Sequence, residues 1–130
     1  MRATVQTEHG VYTVDVEEEL VLELEEGSTL EVPAVETGLP LVVAAAASGS
    51  TVIAVLDRRP PLAISHDAGR TWSEAGAGLP AGRALAIGDE DPDLVLYAAR
   101  NRLHLSRDGG RFWQALALEL PEITAVRLVD

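Results

Sequence analysis

The feature that most constrains this chain is a repeat. Ser65-His66-Asp67-Ala68-Gly69-Arg70-Thr71-Trp72 recurs as Ser106-Arg107-Asp108-Gly109-Gly110-Arg111-Phe112-Trp113, five of eight positions being identical and Gly110 lying 41 residues after Gly69. A fainter copy reads Glu23-Leu24-Glu25-Glu26-Gly27-Ser28-Thr29-Leu30, with Gly27 placed 42 residues before Gly69. Leu-Pro pairs at Leu39-Pro40, Leu79-Pro80 and Leu120-Pro121 keep the same step, 40 and then 41 residues apart. A period of this length marks a stack of like supersecondary units, each burying its apolar surface against the next.

Within each period, short runs of Val, Leu, Ile and Ala alternate with turn-forming clusters, an all-β pattern with no competing helical period. The second repeat predicts strands at Leu41–Ala47, Thr51–Leu56, Leu62–Ser65 and Thr71–Glu74, and the third at Arg83–Ile87, Leu94–Ala99, Arg102–Ser106 and Phe112–Ala117. The first predicts Ala3–Thr7, Val11–Val16, Leu20–Leu24 and Thr29–Val35. Four strands per repeat make a propeller blade. The expectation is one domain over 1–130, with blades at about 1–38, 39–78 and 79–119 and a terminal strand in 120–130. The longest apolar run, Leu39 to Ala47, reads as a buried strand.

The Ser-x-Asp-x-Gly-x-Thr-Trp pattern resembles the Asp-box, or bacterial neuraminidase repeat, of sialidases, sortilin-type receptors, some xyloglucan-cleaving glycosidases and photosystem II assembly factors. The resemblance covers roughly Val11 to Asp130. It implies that the box lies on the hairpin between the third and fourth strands of a blade. It also gives Ser65, Asp67, Gly69, Thr71, Trp72, Ser106, Asp108, Gly110 and Trp113 a structural role: the carboxylates accept turn amides, the glycines supply positive φ, and the tryptophans bury between blades. Propellers close with about four to eight blades, so three need company. Ile123–Asp130 reads as the first strand of a further blade. Two copies of the chain, each lending its terminal strand to the other's first blade, would complete a six-bladed homodimeric ring.

The resemblance also places ligands on the face opposite the boxes, among the loops between second and third strands and between blades. Arg58, Arg59, Arg83, Arg100 and Arg102 fall there, and arginine forks match carboxylates and phosphates. The competing reading is structural: the corresponding loop of the first repeat reads as Glu17-Glu18-Glu19, and acidic and basic loops would pair across blades or subunits. A sialidase site needs an arginine triad, an acid/base Asp and a Glu-activated Tyr; Tyr12 and Tyr97 sit in apolar strand patterns, and no Arg-Ile-Pro precedes the first box. The reading is therefore a non-catalytic binding or scaffold module with a protein or small anionic ligand, and a lectin or glycosidase-like protein is the alternative. No catalytic residue, cofactor or metal is expected: His9, His66 and His104 lie in different repeats, and Asp89–Asp93 reads as a turn.

A formal charge of −11 disfavours nucleic acid and anionic membrane surfaces. The absence of Cys leaves the core to packing alone and fits a reducing cytoplasm.

Overall fold

The computed structural model describes residues 1–129; Asp130, the last residue of the expected terminal strand, lies outside the described residues. Twelve strands form three four-stranded antiparallel sheets, and no helix occurs among the described residues. Blade II contains β4 (Val42–Ser48), β5 (Thr51–Leu56), β6 (Leu62–Ser65) and β7 (Ser73–Ala75), and blade III contains β8 (Ala84–Ile87), β9 (Val95–Ala99), β10 (Arg102–Ser106) and β11 (Gln114–Glu119). In both, sequence order is spatial order. β7 and β11 each begin two residues later than expected, because the box turn consumes the residues up to the tryptophan.

Blade I is assembled from both ends of the chain. Its order is β12-β1-β2-β3, with β1 at Arg2–Thr7, β2 at Gly10–Asp15, β3 at Leu20–Glu26 and β12 at Ile123–Val129. Val126 stands opposite Val5, Leu128 opposite Ala3 and Val129 opposite Arg2. The terminal strand therefore begins no further blade; it is the innermost strand of the first. This shifts the first repeat by one strand. Val11–Val16 supplies the third strand rather than the second, Leu20–Leu24 the fourth, and Thr29–Val35 is not a strand at all. The reason is the tight turn at Leu120–Ile123, where Leu120 N–H donates to Asn101 O (3.1 Å) and Ile123 N–H to Arg100 O (2.7 Å), delivering β12 straight onto β1.

The inner strands meet with β8 between β4 and β12. Alternation along each strand sends one set of side chains to each neighbouring blade. Between blades I and III lie Ala3, Val5, Val14, Val16, Leu96, Leu103, Leu105, Leu116, Ile123 and Val126, and between II and III lie Ile53, Val55, Leu62, Ile64, Leu85, Ile87, Val95 and Tyr97. Blade III is thus covered on both faces, whereas I and II each keep one face free. Tyr97 is fully buried; its hydroxyl donates to Pro80 O at 2.6 Å, and its ring crowds Gly82, where any Cβ would collide with it.

Residues 27–41 connect outer β3 to inner β4. They cross in front of the inner strands: Leu30 N–H donates to Gln6 Oε1 (2.6 Å), Arg127 donates to Glu31 O (3.3 Å), and Val32, Pro33 and Val35 lie over β4, β8 and β12.

Ile123 has no exposed surface and ties β12 into the core. Ile123→Ala should cost about 2–5 kcal/mol by denaturant titration, the range for truncating a buried aliphatic side chain.

Candidate functional site

Two ends of the blades carry different chemistry. One end holds the box hairpins. In blade II, Asp67 Oδ1 accepts Arg70 N–H (3.1 Å) and Thr71 N–H (2.8 Å), and Oδ2 accepts the Thr71 hydroxyl (2.6 Å). The Ser65 hydroxyl donates to Asp67 (2.7 Å) and accepts Gly69 N–H (2.8 Å). Blade III repeats this with Asp108 accepting Arg111 N–H (3.2 Å) and Phe112 N–H (3.0 Å), and Ser106 accepting Gly110 N–H (2.8 Å). Gly69 and Gly110 have φ of 88° and 96°, the left-handed conformation that the turn demands. A further strut recurs: Ala68 N–H donates to Ser50 O, and Gly109 N–H to Asp93 O, both at 2.9 Å, bracing each hairpin on the turn beside it. The expected Asp89–Asp93 turn is thus part of a box brace.

The two boxes differ at one position. Thr71 gives Asp67 a hydroxyl; Phe112 offers none and stands 78% exposed. Hydrogen bonds to the Thr71 hydroxyl and amide hold Asp67 far below the ordinary carboxylate range, and the Phe112 amide lowers Asp108.

The faint copy at Glu23–Leu30 is no box. Glu25 lies within β3, opposite Val11, and only the positive φ of Gly27 (72°) survives from the pattern. Because blade I takes its inner strand from the C-terminus, its hairpin between third and fourth strands is Asp15–Leu20. There Asp15 Oδ1 accepts Glu17 N–H (3.0 Å) and Glu18 N–H (2.9 Å), a shorter form of the same turn, and the Glu18 and Glu17 amides lower its pKa. An Asp closing an apolar strand just before Val-Glu-Glu-Glu was the available signal. It also follows that Glu17–Glu19 lies at the box end, with Glu17 bound to the terminal ammonium of Met1 (2.9 Å); the counterpart of the arginine loops is the Glu8-His9 turn.

At the opposite end, the five arginines divide. Arg58 and Arg59 line a cleft of about 180 Å³ with Asp57, Pro61, Leu79 and Gly82. Arg58 pairs with Glu74 on β7 at 2.7 Å; Arg59 is exposed and has no ion pair among the described residues. Arg102 pairs with Glu119 directly across from it on β11 at 2.8 Å, and exposed Arg100 sits at φ 54° in the turn whose carbonyls anchor β12. Arg83 lies instead beside a cleft of about 330 Å³ between the crossing segment and the inner strands, lined by Val32–Val35, Val42–Ala45 and Thr124–Val126. The structure brings Arg58 and Arg59 together and leaves the other three apart from them.

Of the histidines, His66 Nδ1 is 3.4 Å from the Thr51 hydroxyl, His9 is 3.7 Å from Glu8, and His104 lies edge-on to Tyr97, its pKa lowered first by burial and then by Arg102. They do not converge.

Solved structures decide the fold. YCF48 bound to D1 peptide aligns over 94% of this chain with a TM-score of 0.52 and 20% identity, and the Niastella koreensis GH74 enzyme over 96% with a TM-score of 0.54 and 19% identity. The fold is that of a β-propeller. The chain spans 42% of the first structure and 20% of the second, so its three blades correspond to part of each. No described family and no curated protein matches it.

Since the folded pKa values of Asp67 and Asp108 are depressed, their contribution to stability is present above the ordinary value of 3.8 and is lost as pH falls through the lower folded values. Melting temperature should fall steadily below about pH 4, with a shallower slope in Asp67→Asn. Phe112→Thr, which returns a hydroxyl to Asp108, should raise it by a few degrees in a thermal melt.

Proposed function

We propose that this chain is a non-catalytic binding or scaffold module of Asp-box propeller blades, acting as a homodimer, that holds a carboxylate- or phosphate-bearing partner at the cleft beside the β5–β6 loop. The observation that carries the reading is the contrast between Arg58, committed to Glu74, and neighbouring Arg59, a charged fork left exposed at the rim of the same cleft. Arg58 orients the loop, Arg59 offers the donors, and the apolar wall of Leu56 and Leu79 dries the contact. A chain of charge −11 repels anions at long range, so the contact is short-ranged and selective rather than steered.

Two observations favour binding over catalysis. The box carboxyls, Asp67 and Asp108, are occupied by turn amides and hydroxyls that lower their pKa values and keep them ionised, so neither can deliver a proton at neutral pH. Of the two tryptophans, Trp113 is committed to its box and donates its indole N–H to Gly110 O (3.0 Å), and Trp72 lies packed on Ala54, Leu56 and Ala63 rather than standing out as a sugar platform. Peptide binding by a propeller has a parallel in the YCF48 complex with D1 peptide.

Titration calorimetry with succinate and with inorganic phosphate tests the site. Binding should weaken about tenfold or more in Arg59→Ala, while a glycan array and chromogenic glycosides give no signal. Equal affinity in the variant, or glycoside turnover, would set the reading aside.

A further inference from the structure

The two free faces of this three-blade stack are opposite in character. Blade I's outward face carries Arg2, Thr4 and Gln6 on β1, and Thr13 and Asp15 on β2. It continues with Glu23 and Glu25 on β3 and Arg127 on β12, all in register, with Val11, Leu20, Ala125 and Val129 interspersed among them. The corresponding faces of blades II and III, which are covered, are Ile53, Val55, Leu62 and Ile64, and Leu96, Ala98, Leu103 and Leu105. Blade I is therefore a cap: its face carries charged and polar side chains across all four strands, and two of them, Gln6 and Arg127, bind the backbone of the crossing segment.

Blade II's outward face is built to be covered. It presents Ala54, Leu56 and Ala63 with Ala45, Leu39 and Trp72 packed on them, and exposed Ala47 follows Ala45 on the same side of β4. The repeat shows that this kind of face is covered where a neighbour is present. Trp113, the counterpart of Trp72, lies among the residues between blades II and III, 5.8 Å from Tyr97, and a Cβ on Gly110 would reach Ile64 of blade II at 3.1 Å. Around Gly69 the same construction meets only its own Trp72.

We propose that the blade II face is a self-association surface, and that two copies join through it by a two-fold axis, back to back. This rests on the homodimer reading above and says which surface makes it. Head-to-tail closure into a ring would press blade I's charged face onto Ala54, Leu56 and Trp72, desolvating Arg2, Glu23 and Glu25 against an apolar surface that offers them no partner. The alanine-rich face of a second copy is flat, apolar and matched. With one adhesive and one capped end, association stops at two. The four strands of blade II, of 7, 6, 4 and 3 residues, offer roughly 330 Å² per copy, or about 650 Å² in the pair, at about 3.4 Å per residue and about 4.8 Å between strands. That area lies below the standard size of specific interfaces, so the dimer is weak and depends on concentration. Because each copy carries −11, added salt strengthens it.

Sedimentation velocity across a concentration series, at low and high salt, tests this with the native chain, Ala47→Arg and Thr13→Arg, each first checked by thermal melting. The expected result is a dimer that salt strengthens, that Ala47→Arg weakens by roughly tenfold or more, and that Thr13→Arg leaves unchanged. A native chain that stays monomeric to hundreds of micromolar overturns both this interface and the homodimer reading. A dimer that Thr13→Arg and Ala47→Arg both abolish keeps the homodimer and overturns the back-to-back interface in favour of the head-to-tail ring.

Discussion

The pairing of β12 with β1 is the interaction on which the rest depends. Without it blade I has three strands, and the residues of blade III that face it, Leu103, Leu105 and Leu116, lose Val5, Val126 and Ile123 as neighbours. With it, blade III becomes a central layer covered on both sides, and the stack acquires a defined beginning and end. The long path of residues 27–41 follows from the same fact: having closed blade I against blade III, the chain must travel back past β8 to start blade II.

The box hairpins play a different part. They bury little; they convert a Ser hydroxyl and an Asp carboxylate into a template for four or five turn donors, and the strut to the neighbouring turn ties each hairpin to its own blade. The box Ser and Asp side chains are thereby used up by their own turns, while Arg58 and Arg102 at the other end are paired with carboxylates of the adjoining strands.

How far the fold could be read from residues varied with the physics behind each signal. The boxes at Ser65 and Ser106 were legible because a tight turn needs particular side chains at fixed offsets, and the strands of blades II and III followed from their spacing. Blade I was offset by one strand, since nothing local in Ile123–Val129 distinguishes a strand that pairs with residue 5 from one that pairs with a later blade; that is a long-range choice of register. The run Leu39–Ala47 has the composition of a buried strand, yet Val42 and Val43 are 37% and 44% exposed, because burial depends on a neighbour that composition does not name. At the candidate site, the cluster of arginines was visible in one dimension, but its division by Glu74 and Glu119 was not, those carboxylates lying 16 and 17 residues away on the adjoining strand.

Arg2 stands opposite Val129, so the chain enters and leaves blade I side by side at the same end of one antiparallel pair. A load applied through the two ends would not shear that pair. It would open it as a zipper does, rupturing one rung at a time from Arg2–Val129 toward Thr7–Ile123, with each bond bearing the whole force in turn. A domain joined into a chain through both of its ends would make this blade the mechanically weakest element of the molecule, although thermally it holds the stack together.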